Sequence, residues 1–281
     1  MFKQWLSRRP LFVFGLASIL AMLLYSVIYI GYPFSPLAND LWLNAIYLFS
    51  VISPAWIASA VRSNYDANDS PGKIWVYFLI GFWSWAVAEI IWIGYNMAVG
   101  EVPHVNLSDP FYLAGYILMT FAIASQYRQT RQQGVMSERA LVLLLWLTML
   151  LVSVLIFFVT ELAYTPSSSA AEQVGAFLNI IYGVGDMTLA LTALILVTRF
   201  QGGALGRPWW GFIILALADI FYGWLAQTGA YDYQTLTGNL LRLTSDLIYM
   251  LSFLVIAYSF LRQYVLLKFG PVESSPTVPR R

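Results

Sequence analysis

Five carboxyl groups in or beside long apolar segments are the residues of this chain best placed to do chemistry. Four lie inside such segments and one at the start of a segment: Glu89, Asp186, Asp219, Asp246 and Asp109. An ionised carboxylate costs about 2.5–3.5 kcal/mol at the centre of a membrane helix even on a permissive insertion scale, so each requires a partner or a function. Carboxyl groups in that position hold a small ligand, a cation or a proton.

Helical spacing places phenol, amide and guanidinium groups beside these acids. Residues three, four and seven positions apart share one face of a helix. Three such faces are Asn179, Tyr182 and Asp186; Asp109, Tyr112 and Tyr116; and Arg242, Asp246 and Tyr249. Together they predict a polar cavity with this candidate ligand-binding set: Glu89, Asp109, Tyr112, Tyr116, Asn179, Tyr182, Asp186, Asp219, Tyr222, Arg242, Asp246 and Tyr249.

An alternative interpretation of the same residues is structural. In it, Arg242 pairs with Asp246 one turn away, and the other acids accept hydrogen bonds from tyrosine, tryptophan and asparagine on neighbouring helices. A cation among acids lowers the desolvation cost of the carboxylates under either interpretation. The residue pattern leaves both open.

The composition identifies the elements that must position these groups. Of the 281 residues, 59% are hydrophobic and 10% are charged, against about 25% charged in soluble domains. The chain has no cysteine and one histidine, which argues against thiolate or imidazole metal centres and excludes disulfide frameworks. The net charge of +1 argues against nucleic-acid binding. No nucleophile motif or phosphate-binding loop is present, and we predict a non-enzymatic protein with no catalytic residue and no metal ligand.

Eight apolar segments are long enough to cross a bilayer, which takes about 20 helical residues. They are Leu11–Gly31, Leu41–Val61, Ile74–Val99, Pro110–Tyr127, Ala140–Thr160, Gly175–Thr198, Trp209–Gly229 and Leu240–Leu261. The first has the basic start of a signal peptide, but its length and the lack of a small-residue cleavage site predict a retained helix. The predicted fold is therefore an all-α integral membrane protein with eight transmembrane helices.

Lysine and arginine set the predicted orientation, because short cytoplasmic loops accumulate them. All of the 15 basic residues except Arg242 fall on one side of the predicted membrane, together with both termini. We therefore expect a multi-pass protein of a cytoplasmic membrane with both termini in the cytoplasm. With this orientation the five acids lie from the middle of the membrane outward, and the cavity opens to the outer face.

The chain also matches itself at an offset of about 135 residues, which indicates an internal repeat. Leu43–Tyr47 aligns with Leu178–Tyr182, Ala88-Glu89 with Ala218-Asp219, and Ser108–Tyr112 with Ser245–Tyr249. An even number of spans in each half makes the repeat parallel. We predict two four-helix repeats, 1–132 and 133–268, followed by a Pro/Ser-rich disordered cytoplasmic tail, 269–281.

Two segments resemble a known type of membrane module. They are Ser108-Asp109-Pro110-Phe111-Tyr112-Leu113-Ala114-Gly115-Tyr116 and Leu217-Ala218-Asp219-Ile220-Phe221-Tyr222. In these segments the chain resembles the N-terminal multi-span membrane region of bacterial and archaeal diguanylate cyclases, phosphodiesterases and sensor histidine kinases. The resemblance covers about residues 40–265.

This resemblance implies a sensory or ligand-binding module in a bacterial or archaeal membrane. The matching positions are Glu89, Asp109, Tyr112, Tyr116, Asp219, Asp246 and Tyr249. Glu89 departs from the pattern, in which aspartate is commoner, and the residues after Lys268 are too few for a cyclase or kinase domain. We therefore expect a module that signals through a protein partner in the membrane or at its cytoplasmic face, or whose output domain is absent from this sequence.

Two other functions remain open at this stage. One is an accessory or structural subunit of a larger membrane complex, in contact with lipid or pigment. The other is a small transporter, which a parallel repeat with mid-membrane acids permits. The outward bias of the acids and the lack of a central Gly/Pro break in any span argue against transport.

Overall fold

The protein is described from a computed structural model. The described residues are 2–66, 69–100, 102–103, 105–130, 146, 169–199, 208–227, 230 and 236–270. The predicted span Ala140–Thr160 lies outside these residues apart from Trp146, as does the predicted tail from residue 271 onward.

The described residues form seven α-helices and no strand, as the composition predicts. The helices are α1 (Phe2–Gly31), α2 (Pro36–Arg62), α3 (Ser70–Val99), α4 (Asp109–Thr130), α5 (Ala170–Arg199), α6 (Pro208–Gln227) and α7 (Leu236–Phe269). Proline occupies the first turn of α2, α3 and α6, where its missing N–H has no helical partner to lose. Gly100 ends α3 with φ +77°, a left-handed conformation in which its N–H donates to the Asn96 carbonyl.

Five described segments are long and apolar enough to cross a membrane: Arg9–Gly31, Pro36–Arg62, Ser70–Val99, Ala170–Val197 and Leu240–Phe269. These correspond to five of the eight predicted spans. Trp209–Leu225 of α6 is a shorter apolar helix. The predicted span Pro110–Tyr127 falls within α4, but α4 is not among the five, and its sequence is interrupted by tyrosine, threonine, serine and glutamine.

Six helices are arranged as a closed ring. Each helix from α2 to α6 packs against the next helix in the chain, and α7 packs against α2. Within the described part of the chain, α3 and α6 have no backbone contact and face each other across the ring through their side chains. The remaining helix, α1, lies outside the ring, in the groove between α2 and α7.

Aromatic rings fill one half of the ring interior. Phe78 and Phe82 of α3 meet Phe212 of α6 and Phe260 of α7, with centroids 5.4–6.4 Å apart. All four side chains are buried. We call these four residues the aromatic plug. Burial of such large apolar side chains contributes strongly to the stability of this part of the core.

Candidate functional site

Tyrosine hydroxyls donate hydrogen bonds to the acids, and each of these bonds joins two helices. Tyr116 donates to Asp186 at 2.5 Å and Tyr182 to Asp109 at 2.5 Å, which ties α4 to α5 twice. The remaining two bonds join α7 to its neighbours. Tyr249 of α7 donates to Asp219 of α6, and Tyr25 of α1 donates at 2.8 Å to Asp246 of α7.

Glu89 brings α3 into the same group of side chains. The Tyr112 hydroxyl of α4 is its side-chain hydrogen-bond partner, and Asp219 and Asp246 lie within electrostatic range of its carboxyl group. Asp186 and Asp219 are themselves side-chain neighbours across the α5–α6 contact. Acids from four helices therefore approach one another inside the ring, about three turns beyond Phe78 along α3 and two turns beyond Phe212 along α6.

The acids and tyrosines of this region keep some accessible surface. Glu89, Asp219, Tyr112, Tyr116 and Tyr249 are half-buried, although their partners lie on the surrounding helices. We call the region bordered by these five residues and the buried Asp186 the acidic chamber.

Two glycines allow the aromatic rings to reach the acids. A Cβ at Gly185 would lie 2.7–3.0 Å from the Tyr116 ring, so this ring can lie against α5 and reach Asp186 only because residue 185 has no side chain. A Cβ at Gly115 would lie 2.2 Å from Trp85. The indole of Trp85 crosses α4 there, donates to the Tyr112 carbonyl at 3.1 Å, and meets the Tyr116 ring edge-on at 5.0 Å.

Asp109 is the first residue of α4, and its carboxyl group also accepts a backbone hydrogen bond. Its second oxygen accepts the N–H of Asn106 at 2.7 Å, and the Asn106 side chain accepts from the N–H and hydroxyl of Ser108. This turn precedes α4 and fixes the carboxyl group that Tyr182 contacts. Asp109 thus stabilises the turn before α4 and also links α4 to α5 through Tyr182.

Arg242 and Asp246 form a second polar group between α1 and α7, and Asp246 also lies within electrostatic range of Glu89. Both lie within electrostatic range of the Tyr29 hydroxyl, and Tyr25 stacks on Tyr29 with centroids 6.2 Å apart. Arg242 is half-buried. It therefore lies among protein groups near the start of α7.

The structure brings most of the predicted acids and tyrosines together. Tyr222 lies 6.3 Å from Tyr249, ring centroid to centroid. Arg242 lies in the group beside α1, and Asn179 is exposed. The sequence pattern did not identify Tyr25 and Tyr29 as site residues. They lie one helical turn apart within the first apolar segment, and this spacing of two hydroxyl groups could have indicated a polar contact there.

Among the described residues no group of three or more acidic, histidine or cysteine side chains could hold a metal ion. The acids are instead spaced by phenol groups, which act as hydrogen-bond donors to carboxylates. The arrangement can bind a hydrogen-bonding or cationic ligand, or hold protons.

Comparisons with protein-family models, with curated proteins and with solved structures find no match for this chain.

Proposed function

We propose that this chain is a non-enzymatic sensory membrane protein that binds a ligand in the acidic chamber and signals through a protein partner. The observation that carries the proposal is the combination of an acidic half and a sealed aromatic half within one ring of helices. The acids are partly accessible in the first half, whereas the aromatic plug closes the second. A chamber closed at one end is suited to binding.

The aromatic plug also argues against the alternative function, transport. Phe78, Phe82, Phe212 and Phe260 meet at the ring axis and would have to separate before a polar solute could pass. The described helices that carry the acids run unbroken through those positions, without the unwound segments that transporters use for binding. Both features favour a binding site over a conducting pathway.

A ligand in the chamber would act on several helices at once. Each phenol–carboxyl bond crosses a helix contact, so ligand groups that compete for the carboxyl oxygens alter the packing of α4, α5, α6 and α7 together. Differential binding to two helix arrangements is the physical requirement for a ligand-driven switch. A partner in the membrane or at the cytoplasmic face would read the change.

The finer architecture belongs to the same proposal: two parallel four-helix repeats, eight spans, and both termini cytoplasmic. Related contacts in the two halves support the repeat. Tyr112 partners Glu89 across α3–α4, as Tyr249 partners Asp219 across α6–α7. The close approaches repeat as well, since a Cβ at Gly81 would meet Met119 and one at Gly211 would meet Ile256. The basic asymmetry of the sequence supports the orientation, and the resemblance to sensor regions of cyclases and kinases supports the function class.

The proposal predicts that a chamber variant changes partner capture without loss of folding. The chain would be tagged, cross-linked in its native membrane and purified in mild detergent as wild type, as Asp219→Asn and as the exposed-acid control Asp40→Asn. We expect one specific partner whose yield changes in Asp219→Asn and is unchanged in the control. A partner captured equally by all three would indicate an accessory subunit, and the absence of any partner would contradict signalling through one.

A further inference from the structure

We propose that α1 is the helix that carries the response of the site along the membrane normal, as a lever that is anchored at Asp246 and tilts along its first part. The first part is Pro10–Leu24 and the second part is Tyr25–Gly31. This inference rests on the proposed signalling function and names the element that transmits the change. Its support is the contrast in packing between the two parts and the place of Asp246 beside the acidic chamber.

The second part of α1 is held closely against the ring. Tyr25 and Ile28 are buried. They pack with Ile46 of α2 and Leu243 of α7 in a hydrophobic cluster that is distinct from the main core. The Tyr25 hydroxyl also donates to Asp246 at 2.8 Å. Helices in a bilayer associate through close packing and hydrogen bonds, because lipid already solvates apolar side chains. The second part of α1 has both kinds of contact.

The first part of α1 is packed more loosely. No side chain from Pro10 to Leu24 is buried. A Cβ at Gly15 would lie 3.9 Å from the Tyr258 ring of α7, which is ordinary van der Waals contact. Within the ring the approach to α7 is closer, since a Cβ at Gly211 of α6 would clash with Ile256. Movement of the first part of α1 therefore sacrifices few close contacts.

The continuity of α1 allows it to transmit a movement at its anchor. The helix is unbroken from Pro10 to Gly31. From Tyr25 back to Pro10 its axis is about 22 Å long. A tilt of about 5° about Tyr25 displaces the Pro10 end by about 2 Å, which is the size of the helix shifts that switch other proteins. Small changes at the anchor thus become larger ones at the far end of the helix.

Asp246 connects this anchor to the acidic chamber. Its carboxyl group accepts from Tyr25 and also lies within electrostatic range of Glu89. On α7 it lies one turn before Tyr249, which donates to Asp219 of α6. A change of charge or of hydrogen bonding in the chamber therefore acts on the helix and on the carboxyl group that hold α1.

The anchor also contains a cation. Arg242 lies one turn before Asp246, and both act electrostatically on the Tyr29 hydroxyl of α1. Attraction between Arg242 and Asp246 acts on the same carboxyl group that accepts from Tyr25. A shift of α7 that alters this attraction changes how firmly Asp246 holds α1.

Distances between spin labels test the inference on the full chain in lipid nanodiscs. One label pair, Val13→Cys/Ile80→Cys, joins the first part of α1 to α3. The other pair, Val27→Cys/Ile90→Cys, joins the second part of α1 to the same helix. All four positions carry exposed apolar side chains, and the chain has no cysteine to remove. Pulsed electron–electron double resonance should give a broader distance distribution for the first pair than for the second.

Variants test the anchor and its link to the chamber. Tyr25→Phe removes the bond to Asp246 and should broaden the distribution of the second pair, whereas the exposed control Tyr32→Phe should leave it unchanged. Asp219→Asn alters the bond that α7 makes in the chamber and should move the mean distance of the first pair by about 1–2 Å. The exposed-acid control Asp40→Asn should not move it.

Thermal unfolding of each labelled variant shows that it is folded. Asp246→Asn replaces Tyr25→Phe, and Tyr249→Phe replaces Asp219→Asn, if the first choice does not fold. Equal widths for the two pairs, or an unchanged second pair in Tyr25→Phe, would overturn the inference.

The same chamber variant separates this inference from the proposed function. Partner capture that responds to Asp219→Asn without movement of α1 would overturn the inference and leave the proposed function intact. Movement of α1 in Asp219→Asn without any captured partner would support the lever and contradict signalling through a partner.

Discussion

A methyl group added at Gly185 tests whether the contact between Tyr116 and α5 organises the site. The new Cβ would lie 2.7, 2.9 and 3.0 Å from three atoms of the Tyr116 ring, and real Cβ contacts essentially never fall below 3.0 Å. The ring must therefore move, and it carries the hydroxyl that Asp186 accepts at 2.5 Å.

The expected loss can be worked from these contacts. Overpacking by one methyl group costs about 1–3 kcal/mol, and loss of a hydrogen bond to a charged group costs about 1.5–3 kcal/mol. Replacing glycine by alanine inside a helix returns about 1 kcal/mol. Gly185→Ala should therefore destabilise the protein by about 1.5–5 kcal/mol.

Gly223→Ala is the matched control. Gly223 also lies inside a helix near an acid, but no described atom lies within 4 Å of the position of its Cβ. The control should be neutral or up to about 1 kcal/mol more stable. Chemical unfolding in mixed micelles, with near-ultraviolet circular dichroism as the signal, compares both variants with wild type.

A double-variant cycle identifies the cause. Tyr116→Ala removes the ring that the new methyl group would strike, so in this background Gly185→Ala should cost little or nothing more. If Gly185→Ala and Gly223→Ala unfold at the same denaturant concentration, or if Gly185→Ala costs as much without the Tyr116 ring as with it, the reasoning from this contact is refuted.

Three further predictions concern α1, Arg242 and the termini. Tyr25→Phe removes the hydroxyl that ties α1 to Asp246 and should cost about 1.5–3 kcal/mol; Tyr32→Phe, at an exposed tyrosine, should change stability by less than about 0.5 kcal/mol in the same unfolding assay. Arg242→Ala should lower the thermal midpoint in detergent more than Arg242→Ala/Asp246→Asn, because the single change leaves a poorly solvated carboxylate without its cation. Breaking a buried pair in this way costs about 3–5 kcal/mol of stability. Equal and negligible losses of stability in the two variants would show that the pair is solvated. Tags at either terminus should resist protease added outside intact cells, and cleavage of either tag would contradict the orientation.

The sequence predicts an all-helical fold and five of the long apolar helices, because these follow from local properties. A run of about 20 apolar residues requires a helix in lipid. A carboxyl group inside such a helix must find partners, whatever the fold. In the structure the acids accept hydrogen bonds from tyrosines of neighbouring helices, whereas Asn179 is exposed.

The pairing of those residues depends on packing and could not be derived from spacing. Asp109, Tyr112 and Tyr116 share one face of α4, yet their partners lie on different helices: Tyr112 meets α3, whereas Asp109 and Tyr116 meet α5. Tyr25 was missed because a tyrosine within an apolar first span resembles an interface residue until α1 is known to pack on α7. Helical spacing shows which residues share a face of one helix. Only the order of the helices around the ring shows which helix that face contacts.

Cysteine accessibility tests the central claim, that a water-filled chamber opens to the outer face and ends at the aromatic plug. The chain has no cysteine, so single substitutions need no background changes. Tyr222→Cys, at the edge of the chamber, would be compared with Phe212→Cys in the plug and with Trp56→Cys, which replaces an exposed residue of α2. Each variant would be treated in intact cells with a membrane-impermeant maleimide. The account predicts that Tyr222→Cys reacts from outside and that the other two do not; an unreactive Tyr222→Cys, or labelling of Phe212→Cys at the same rate, would contradict it.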